Sequence, residues 1–218
     1  MKSVSKNYIA TLTVDSIPLA LMGLHFLARP NDESRRLDRE AQADAIRQIA
    51  VELLADGRRL IVLGDFNDYD GETASRDQLD STPISNVLKM VREMKPNDPA
   101  DDLVNVTRVV PKGQRFTSWF DMNQNGQVNA PHELTAIDHI LLSPELSAKL
   151  ITAEIPHQHD ATKVSDHFPV VARMNLCDGP GPIPASPQVR IARLLPNPPG
   201  DETENEEAVA SAPKAASV

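Results

Sequence analysis

Cysteine, long apolar runs and positive charge are all scarce in this sequence. Of its 218 residues, only Cys177 is a cysteine, which excludes an internal disulfide framework and a zinc site of the CxxC type. No uncharged apolar run approaches the ~18–20 residues that a membrane-spanning helix needs. The 22 Lys and Arg residues are outnumbered by 31 Asp and Glu residues, which leaves a net charge of -9. This balance argues against a protein that holds nucleic acid mainly through bulk positive charge.

Proline marks a change of composition towards the C-terminus. Eight of the 18 prolines lie between positions 180 and 213, and several alternate with glycine. Closely spaced prolines and glycines favour an extended chain that does not pack. We therefore expect a folded body at 1–176, a linker at 177–188 and a separate C-terminal segment at 189–218.

The body has the pattern of alternating strands and helices. Two apolar segments, 8–14 and 18–28, flank an Asp-Ser turn and predict an antiparallel hairpin. Apolar residues spaced as on one helix face predict a helix that is capped by Asp38 and runs to Ala55. Further elements are predicted as a buried strand at 59–64, strands at 136–142 and 168–174, and helices at about 84–94 and 144–150. The order predicts an α/β protein with buried sheets.

The first segment has a second interpretation, as a secretory signal peptide. Lys2 and Lys6 precede an apolar run at 17–28, as in the charged and apolar parts of such a peptide. Asp15 and His25 interrupt this pattern, and the apolar run begins late. The hairpin is the favoured interpretation, and the chain is expected to contain no signal peptide.

Three short motifs that carry chemistry lie at predicted strand ends. Asp65 and Asn67 follow the strand 59–64, Asp138 begins the strand 136–142, and Asp166 and His167 lead into the last strand. Ligands bind where strand ends and loops converge at the edge of an α/β sheet. Carboxylates, an amide and one imidazole form an oxygen-rich site that suits Mg²⁺ or Mn²⁺ and a phosphate ester. Any one motif alone is as readily a polar turn.

Taken in order, the motifs GDFND, IDHILLS and SDHFPV resemble those of the endonuclease/exonuclease/phosphatase superfamily. The superfamily includes deoxyribonuclease I-like nucleases, abasic-site endonucleases, sphingomyelinases and inositol-polyphosphate phosphatases. The stretch Met22–Phe26, followed by Arg39–Gln42, also resembles the family's histidine strand and the helix after it. The resemblance extends over residues 8–175, which is essentially the whole body.

The resemblance implies an α/β fold, a four-layer α/β sandwich of two packed mixed sheets, with the N-terminal part missing. The family's first-strand asparagine, and the glutamate that is its main metal ligand, have no counterpart in this sequence. We therefore expect a fragment of a longer protein rather than a degenerate member. Residues 1–218 alone are expected to show negligible Mg²⁺-dependent cleavage of DNA, and an upstream segment is expected to restore it.

The resemblance also implies catalytic roles. Asp65 would orient or deprotonate the attacking water, and Asn67 would hold a phosphate oxygen. Asp138 would accept the ring N–H of His167, which fixes the tautomer of the imidazole and raises its basicity. His167 would contact the scissile phosphate, and either activate water or stabilise developing negative charge. His25 would protonate the leaving oxygen.

The implied metal ligands are Asp166 and Asp65. The ion would be Mg²⁺ or Mn²⁺, with Ca²⁺ as a further alternative, and it would offset the charge of phosphate oxygens.

These features favour a divalent-metal-dependent phosphodiester hydrolase, above all a nuclease of the endonuclease type. The alternatives are a phosphomonoesterase or lipid phosphodiesterase of the same superfamily, or an inactive fragment, since substrate choice lies in loops. Nucleic acid is the expected partner, with no membrane span and no obligate protein partner evident. Residues that could meet a nucleic-acid backbone are Lys112, Arg115, Trp119 and Phe120, although a half-buried strand with basic ends explains them equally well.

The C-terminal segment resembles the opening of a lamin-tail domain, a module often appended to secreted bacterial enzymes. A truncated start of that domain at 189–218, or a disordered acidic tail, fits the sequence. An extracellular or periplasmic location is expected on this ground.

Two further clusters have ordinary explanations. Residues 121–132 begin like a calcium-binding loop, but His132 stands where such a loop has its glutamate, although Glu133 is adjacent. A polar turn is therefore the favoured interpretation. His157, His159 and Asp160 could bind a metal, but a solvated surface is favoured for them.

Overall fold

The computed structural model describes residues 6–73, 82–95 and 98–176 and the backbone of 190–193. Strands and helices alternate through most of these residues. In chain order the elements are β1 (Tyr8–Val14), β2 (Ile17–His25), α1 (Arg36–Ala55), β3 (Arg59–Asp65), α2 (Val87–Arg92), β4 (Val104–Asn105), β5 (Ser118–Trp119), β6 (Leu134–Thr135), β7 (Asp138–Leu142), α3 (Pro144–Ser147), β8 (Leu150–Glu154), β9 (Val171–Met174) and β10 (Arg190–Arg193). The main sheet has the order β10-β1-β2-β3-β7-β4, and β5–β6 and β8–β9 form two smaller sheets. The predicted α/β class is confirmed.

The N-terminal hairpin forms as predicted. β1 and β2 are antiparallel and are joined by Asp15 and Ser16, which have φ angles of 48° and 66°. Two consecutive residues with positive φ are typical of the two-residue turn whose twist matches that of paired strands. The second strand ends at His25 rather than at residue 28, although the Phe26 N–H still donates to the Asp65 carbonyl at 3.0 Å.

The first helix is not capped by Asp38, and that part of the prediction was wrong. A short 3₁₀ turn, Glu33–Arg35, runs directly into α1, which begins at Arg36. The cap therefore lies at the start of the turn, where the Asp32 side chain accepts the Ser34 N–H at 3.0 Å. A side-chain cap satisfies N–H groups that have no partner in the first turn, and it must precede that turn.

Other elements are shorter than predicted. The helices expected at 84–94 and 144–150 form only at α2 and α3. The last strand begins at Val171 rather than at 168, because Pro169 has no N–H to donate to a strand ladder. The strand β8 was not predicted. It is short and largely exposed, so its five residues give little apolar pattern.

The two faces of the main sheet pack against different layers. Successive residues of a strand point to opposite faces. In β3, Leu60 and Val62 face the cluster formed with α1 and α2, whereas Ile61 and Leu63 face the cluster formed with β8 and β9. The central strand is therefore buried on both sides, between a helical layer and a second sheet. Its continuous apolar sequence follows from this arrangement.

The C-terminal ends of β2 and β3 and the start of β7 lie at one edge of this sheet. β2 and β3 are parallel and are connected through α1, so their C-terminal ends lie at the same edge. β7 is antiparallel to β3 and begins at that edge. None of the helices in the described part of the chain has the length and apolar content that a bilayer crossing requires.

The predicted linker at 177–188 lies outside the described residues, as does most of the segment at 189–218. In that segment the structure describes the backbone of β10 alone, which pairs antiparallel with β1.

Candidate active site

Three predicted site residues stand side by side across neighbouring strands. His25 of β2 is the register partner of Asp65 of β3, and Asp65 is the register partner of Asp138 of β7. By strand alternation all three side chains lie on the sheet face that packs against β8 and β9. The His25 Nε2 atom is 3.8 Å from the Asp65 Oδ2 atom. These three residues are called the catalytic row below.

His167 joins the catalytic row from a separate segment. This segment pairs with β5 through an isolated bridge between Ser118 and His167, next to a bond from the Trp119 N–H to the Asp166 carbonyl at 2.8 Å. His167 Nδ1 thereby lies 2.8 Å from Asp138 Oδ2, within the hydrogen-bonding range expected from the sequence. The carboxylate can only accept, so Nδ1 donates and Nε2 is left to face a ligand.

Hydrogen bonding, burial and neighbouring charges raise the pKa values of His167 and Asp65. The hydrogen bond with Asp138 raises the pKa of His167 to about 9, and the charges of Asp138, Asp65 and Asp166 act in the same direction. Burial, followed by the neighbouring Asp138 carboxylate, raises the pKa of Asp65 above its usual value. A protonated His167 at neutral pH is a hydrogen-bond donor with a positive charge, which is what an anionic phosphoryl group requires.

Asn67 holds Asp65 in place. Its backbone has a φ of 46°, and its N–H donates to Asp65 Oδ1 at 2.8 Å. Its side-chain Nδ2 donates to Asp65 Oδ2 at 2.8 Å and to the Phe26 carbonyl at 3.1 Å. Both hydrogens of the Asn67 side-chain amide therefore donate to protein acceptors. A phosphate oxygen could bind this amide only by replacing one of those acceptors.

Two carboxylates in this region suit a hard divalent ion. Asp166 is exposed beside His167, and the charges of Asp65 and Asp166 both act on that imidazole. No cluster of three or more acidic, histidine or cysteine side chains that could hold an ion occurs among the described residues. Mg²⁺ keeps several waters and is held by one or two carboxylates, so this donor set fits such an ion as part of a shell.

Several supporting residues were not predicted. The Asn7 side chain accepts the backbone N–H of His25 at 2.9 Å, and the Thr117 hydroxyl accepts the backbone N–H groups of Ile137 and Asp138 at 3.0 and 2.9 Å. Asn7 and Thr117 are buried. They fix the backbone at the catalytic row, and no spacing in the sequence marks them because their partners are 18 to 21 residues away.

Two of the residues considered for nucleic-acid contact make hydrogen bonds inside the protein instead. Trp119 is buried, and its indole N–H donates to Glu133 at 3.0 Å. The Arg115 guanidinium donates to the carbonyls of Val110, Thr73 and Arg108. These contacts are internal and hold loops together. Phe120, in contrast, is 67% exposed, and Lys112 is also exposed.

The calcium-like loop at 121–132 makes hydrogen bonds within itself and with Glu133. Glu133 is buried and accepts the N–H groups of Met122 and Asn129 as well as the Trp119 indole. Asp121 accepts backbone N–H groups of its own loop. These hydrogen bonds anchor the loop to Glu133, and the interpretation as a polar turn rather than a calcium site stays a prediction.

His157 and His159 are partly exposed and Asp160 is exposed, as expected of a surface cluster, but both rings also pack against aromatic side chains. The His157 ring stacks on Phe116 with centroids 3.7 Å apart, and the His159 ring lies 4.7 Å from Phe168. Their Nε2 atoms lie 2.9 Å from the carbonyls of Phe116 and Ser165. Both rings line a cavity of about 690 Å³ together with Phe168. Phe168 follows His167 in the chain, so the two side chains point to opposite sides of that segment.

Comparison with known proteins identifies the family. The model of the endonuclease/exonuclease/phosphatase family matches residues 4–167. The chain belongs to this family. A search of the curated proteins found no match. The resemblance noted in the sequence is thereby confirmed at the level of the family, whose members are hydrolytic enzymes.

Solved structures share the fold of this family member. They include a 3′-5′ exonuclease (NExo) from Neisseria meningitidis, with a TM-score of 0.54 and 19% identity over 77% of this chain and 64% of that one. The APE2 catalytic domain of Xenopus laevis gives a TM-score of 0.51 and 20% identity over 77% and 53%. An AP endonuclease from Archaeoglobus fulgidus gives 0.54 and 14% over 77% and 65%. The chain thus spans less than two thirds of each of these structures.

Proposed function

We propose that this chain carries the active site of a phosphodiester hydrolase that acts on nucleic acid, as an endonuclease. The observation that supports this most directly is the row His25–Asp65–Asp138, completed by the 2.8 Å hydrogen bond from His167 to Asp138. Two imidazoles and two carboxylates from four separate segments meet at one edge of the sheet. A structural role alone does not require two carboxylates as direct neighbours, because like charges opposite each other on adjacent strands are destabilising.

The row can perform a hydrolysis. Asp65 orients a water molecule and accepts its proton as the water oxygen bonds to phosphorus. Protonated His167, held by Asp138, stabilises the negative charge that grows on the phosphoryl oxygens. His25, whose side chain is 48% exposed, donates a proton to the leaving ester oxygen as the P–O bond breaks. A divalent ion held by Asp166 and Asp65 would supply further charge compensation at the phosphate.

Exposed apolar side chains beside the site support a nucleic-acid substrate. Phe120 and Met122 follow β5, which pairs with the His167 segment, and they are 67% and 65% exposed. Aromatic and apolar side chains next to a scissile phosphate can stack on bases without regard to sequence. Among the solved structures with this fold, the Neisseria 3′ phosphatase NExo was solved with a product DNA hairpin.

The test is cleavage in Mg²⁺ of nicked and intact duplex DNA, single-stranded DNA, RNA and a phosphomonoester. It compares His167→Ala with His132→Ala, an exposed histidine outside the row. The assay uses residues 1–218 and, in parallel, the same chain extended at its N-terminus by a glutamate-bearing segment. His167→Ala should reduce phosphodiester cleavage at least ~10²-fold, as expected for a positioned acid–base group. His132→Ala should leave it unchanged. Equal losses in the two variants, or hydrolysis of the monoester alone, would refute the proposal.

A further inference from the structure

A buried histidine lies directly behind the catalytic row. His139 follows Asp138 in β7 and points to the opposite face, where it is 2% exposed. Its Nδ1 atom is 3.0 Å from Asn105 Nδ2, and its Nε2 atom is 3.0 Å from the Asp68 carbonyl oxygen. An amide nitrogen can only donate, so Nδ1 accepts and Nε2 carries the hydrogen. The ring is therefore held as one neutral tautomer, with both nitrogen atoms engaged.

The hydrogen bonds continue on the far side of the ring. Asn105 Nδ2 also donates to Asp70 Oδ2 at 2.9 Å, and Asn105 Oδ1 accepts the N–H and hydroxyl of Thr107. Asp70 is approached by the Arg92 guanidinium at 3.5 Å. His139, Asn105 and Asp70 are all buried. A fully bonded polar network of this kind has one arrangement, because any shift would leave a buried group without its partner.

This network contacts the chain on both sides of Asn67. The His139 ring packs edge-on against the Phe66 ring at 5.5 Å, and its Nε2 hydrogen bonds to the carbonyl of Asp68. Asn67 itself has a positive φ, which asparagine adopts more readily than most residues, so the residue type and the contacts around it together hold this turn. His139 supplies such contacts immediately before and immediately after that residue.

We infer that His139 is a positioning residue, which holds the Phe66–Asp68 turn from behind so that Asn67 can fix both oxygens of the Asp65 carboxylate. The inference rests on the proposed function, because its consequence for catalysis requires that Asp65 act on the substrate. His139 is buried on the other face of the sheet and touches no substrate. Its effect passes through the 2.8 Å hydrogen bonds from Asn67 to Asp65.

Two substitutions separate the hydrogen bond from the volume of the side chain. His139→Leu fills the space but leaves the Asp68 carbonyl and one Asn105 N–H unpaired. His139→Gln places an amide N–H where the Nε2 hydrogen lies and restores the bond to Asp68. Leu146→Ala is the control, because Leu146 is buried in the cluster on the opposite face of the sheet and its truncation destabilises the fold without contact to the turn.

The kinetic readout is the split between kcat and KM in the form of the protein that cleaves substrate. In His139→Leu, kcat should fall ~10- to 100-fold with KM unchanged, since a misplacement of about 1 Å can cost 10²-fold. His139→Gln should recover most of that loss. Leu146→Ala should keep kcat at a temperature at which it remains folded. A kcat as low in Leu146→Ala as in His139→Leu, or no recovery in His139→Gln, would overturn the inference.

A second readout does not need activity. The backbone N–H of Asn67 donates to Asp65 Oδ1, and its hydrogen exchange reports how firmly the turn is held. In His139→Leu this amide should exchange faster by a larger factor than amides of the sheet core, and His139→Gln should reverse the effect. If exchange follows this pattern while no variant cleaves, the positioning stands and the proposed function falls. If exchange at Asn67 only follows the global stability, the inference is wrong even where cleavage occurs.

Discussion

Gly64 offers the sharpest test of how the catalytic row is assembled. Gly64 precedes Asp65 in β3 and has a φ of 131°. Residues other than glycine rarely adopt this backbone conformation. A Cβ atom at this position would lie 2.1 Å from the Leu24 carbonyl oxygen and 2.9 Å from the Leu24 nitrogen. Leu24 is the register partner of Gly64, and the neighbouring pair is His25 with Asp65. Gly64→Ala must therefore push β2 and β3 apart beside the row.

The size of the effect follows from two contributions. A non-glycine residue in such a backbone conformation costs about 1–3 kcal/mol. The neighbouring atoms are backbone atoms and must move by about 1 Å, which breaks one or two ladder hydrogen bonds at about 0.5–1.5 kcal/mol each. The two contributions add to about 1.5–6 kcal/mol. We expect Gly64→Ala to lower the free energy of unfolding by about 4 kcal/mol, near the middle of that range and a large part of the 5–15 kcal/mol typical of a domain.

Gly57→Ala is the matched control, because Gly57 also has a positive φ, of 78°, but its Cβ would meet no described atom within 4 Å. Gly57→Ala should lower the free energy of unfolding only through the strained backbone conformation, by about 1–2 kcal/mol. Urea unfolding followed by circular dichroism should place the two variants at least 1 kcal/mol apart, with equal slopes against urea. Equal losses in the two variants would show that the close approach at Leu24 does not constrain the sheet.

Three further predictions concern the site. Asp138→Asn should lower the pKa of His167 from about 9 towards 6.5, measured by NMR titration of the imidazole. Because the folded pKa is raised, the stability that this pair contributes is fully present below pH 6.5 and lost as pH rises through 9. The advantage in unfolding free energy of the wild type over Asp138→Asn should therefore decrease as pH rises through 9, to what the hydrogen bond of the neutral imidazole contributes. Glu133→Gln should expose Trp119 and red-shift its fluorescence, since one carboxylate receives several N–H donors there. Asp166→Ala should weaken Mg²⁺ binding at least ~10-fold in calorimetric titration, and unchanged affinity would remove Asp166 from the ion site.

The sequence predicts the elements of the main sheet well, and it predicts which residues meet at the catalytic row. Apolar runs fix β2 and β3 because residues on both faces of these strands pack into clusters, and the Asp-Ser turn places β1 beside β2. Asp65, Asp138 and His167 were found because they stand at strand ends, and parallel and antiparallel pairing brings those ends together.

The residues that support the row could not be predicted in the same way. Thr117 bonds to the backbone of Asp138, and Asn105 bonds to His139, across separations of 21 and 34 residues. No periodicity connects such pairs, and their partners are backbone groups or buried nitrogen atoms. The role of Trp119 was left open for a related reason. A strand pattern shows that its side chain can be half buried, but not that Glu133 stands behind it to accept the indole N–H.

The short motifs combine two functions because a strand has two faces. In GDFN, Asp65 faces the catalytic row while Phe66 packs into the helical cluster; in IDH, Asp138 faces the row while His139 is buried behind it. Phe168, next to His167, likewise packs into the aromatic cluster. One residue in each pair lies on the side of the catalytic row, and its neighbour packs on the other side and fixes the backbone that carries it. Substitutions at the second residue should therefore alter the chemistry through geometry, and a loss of activity there would not by itself mark a residue that contacts substrate.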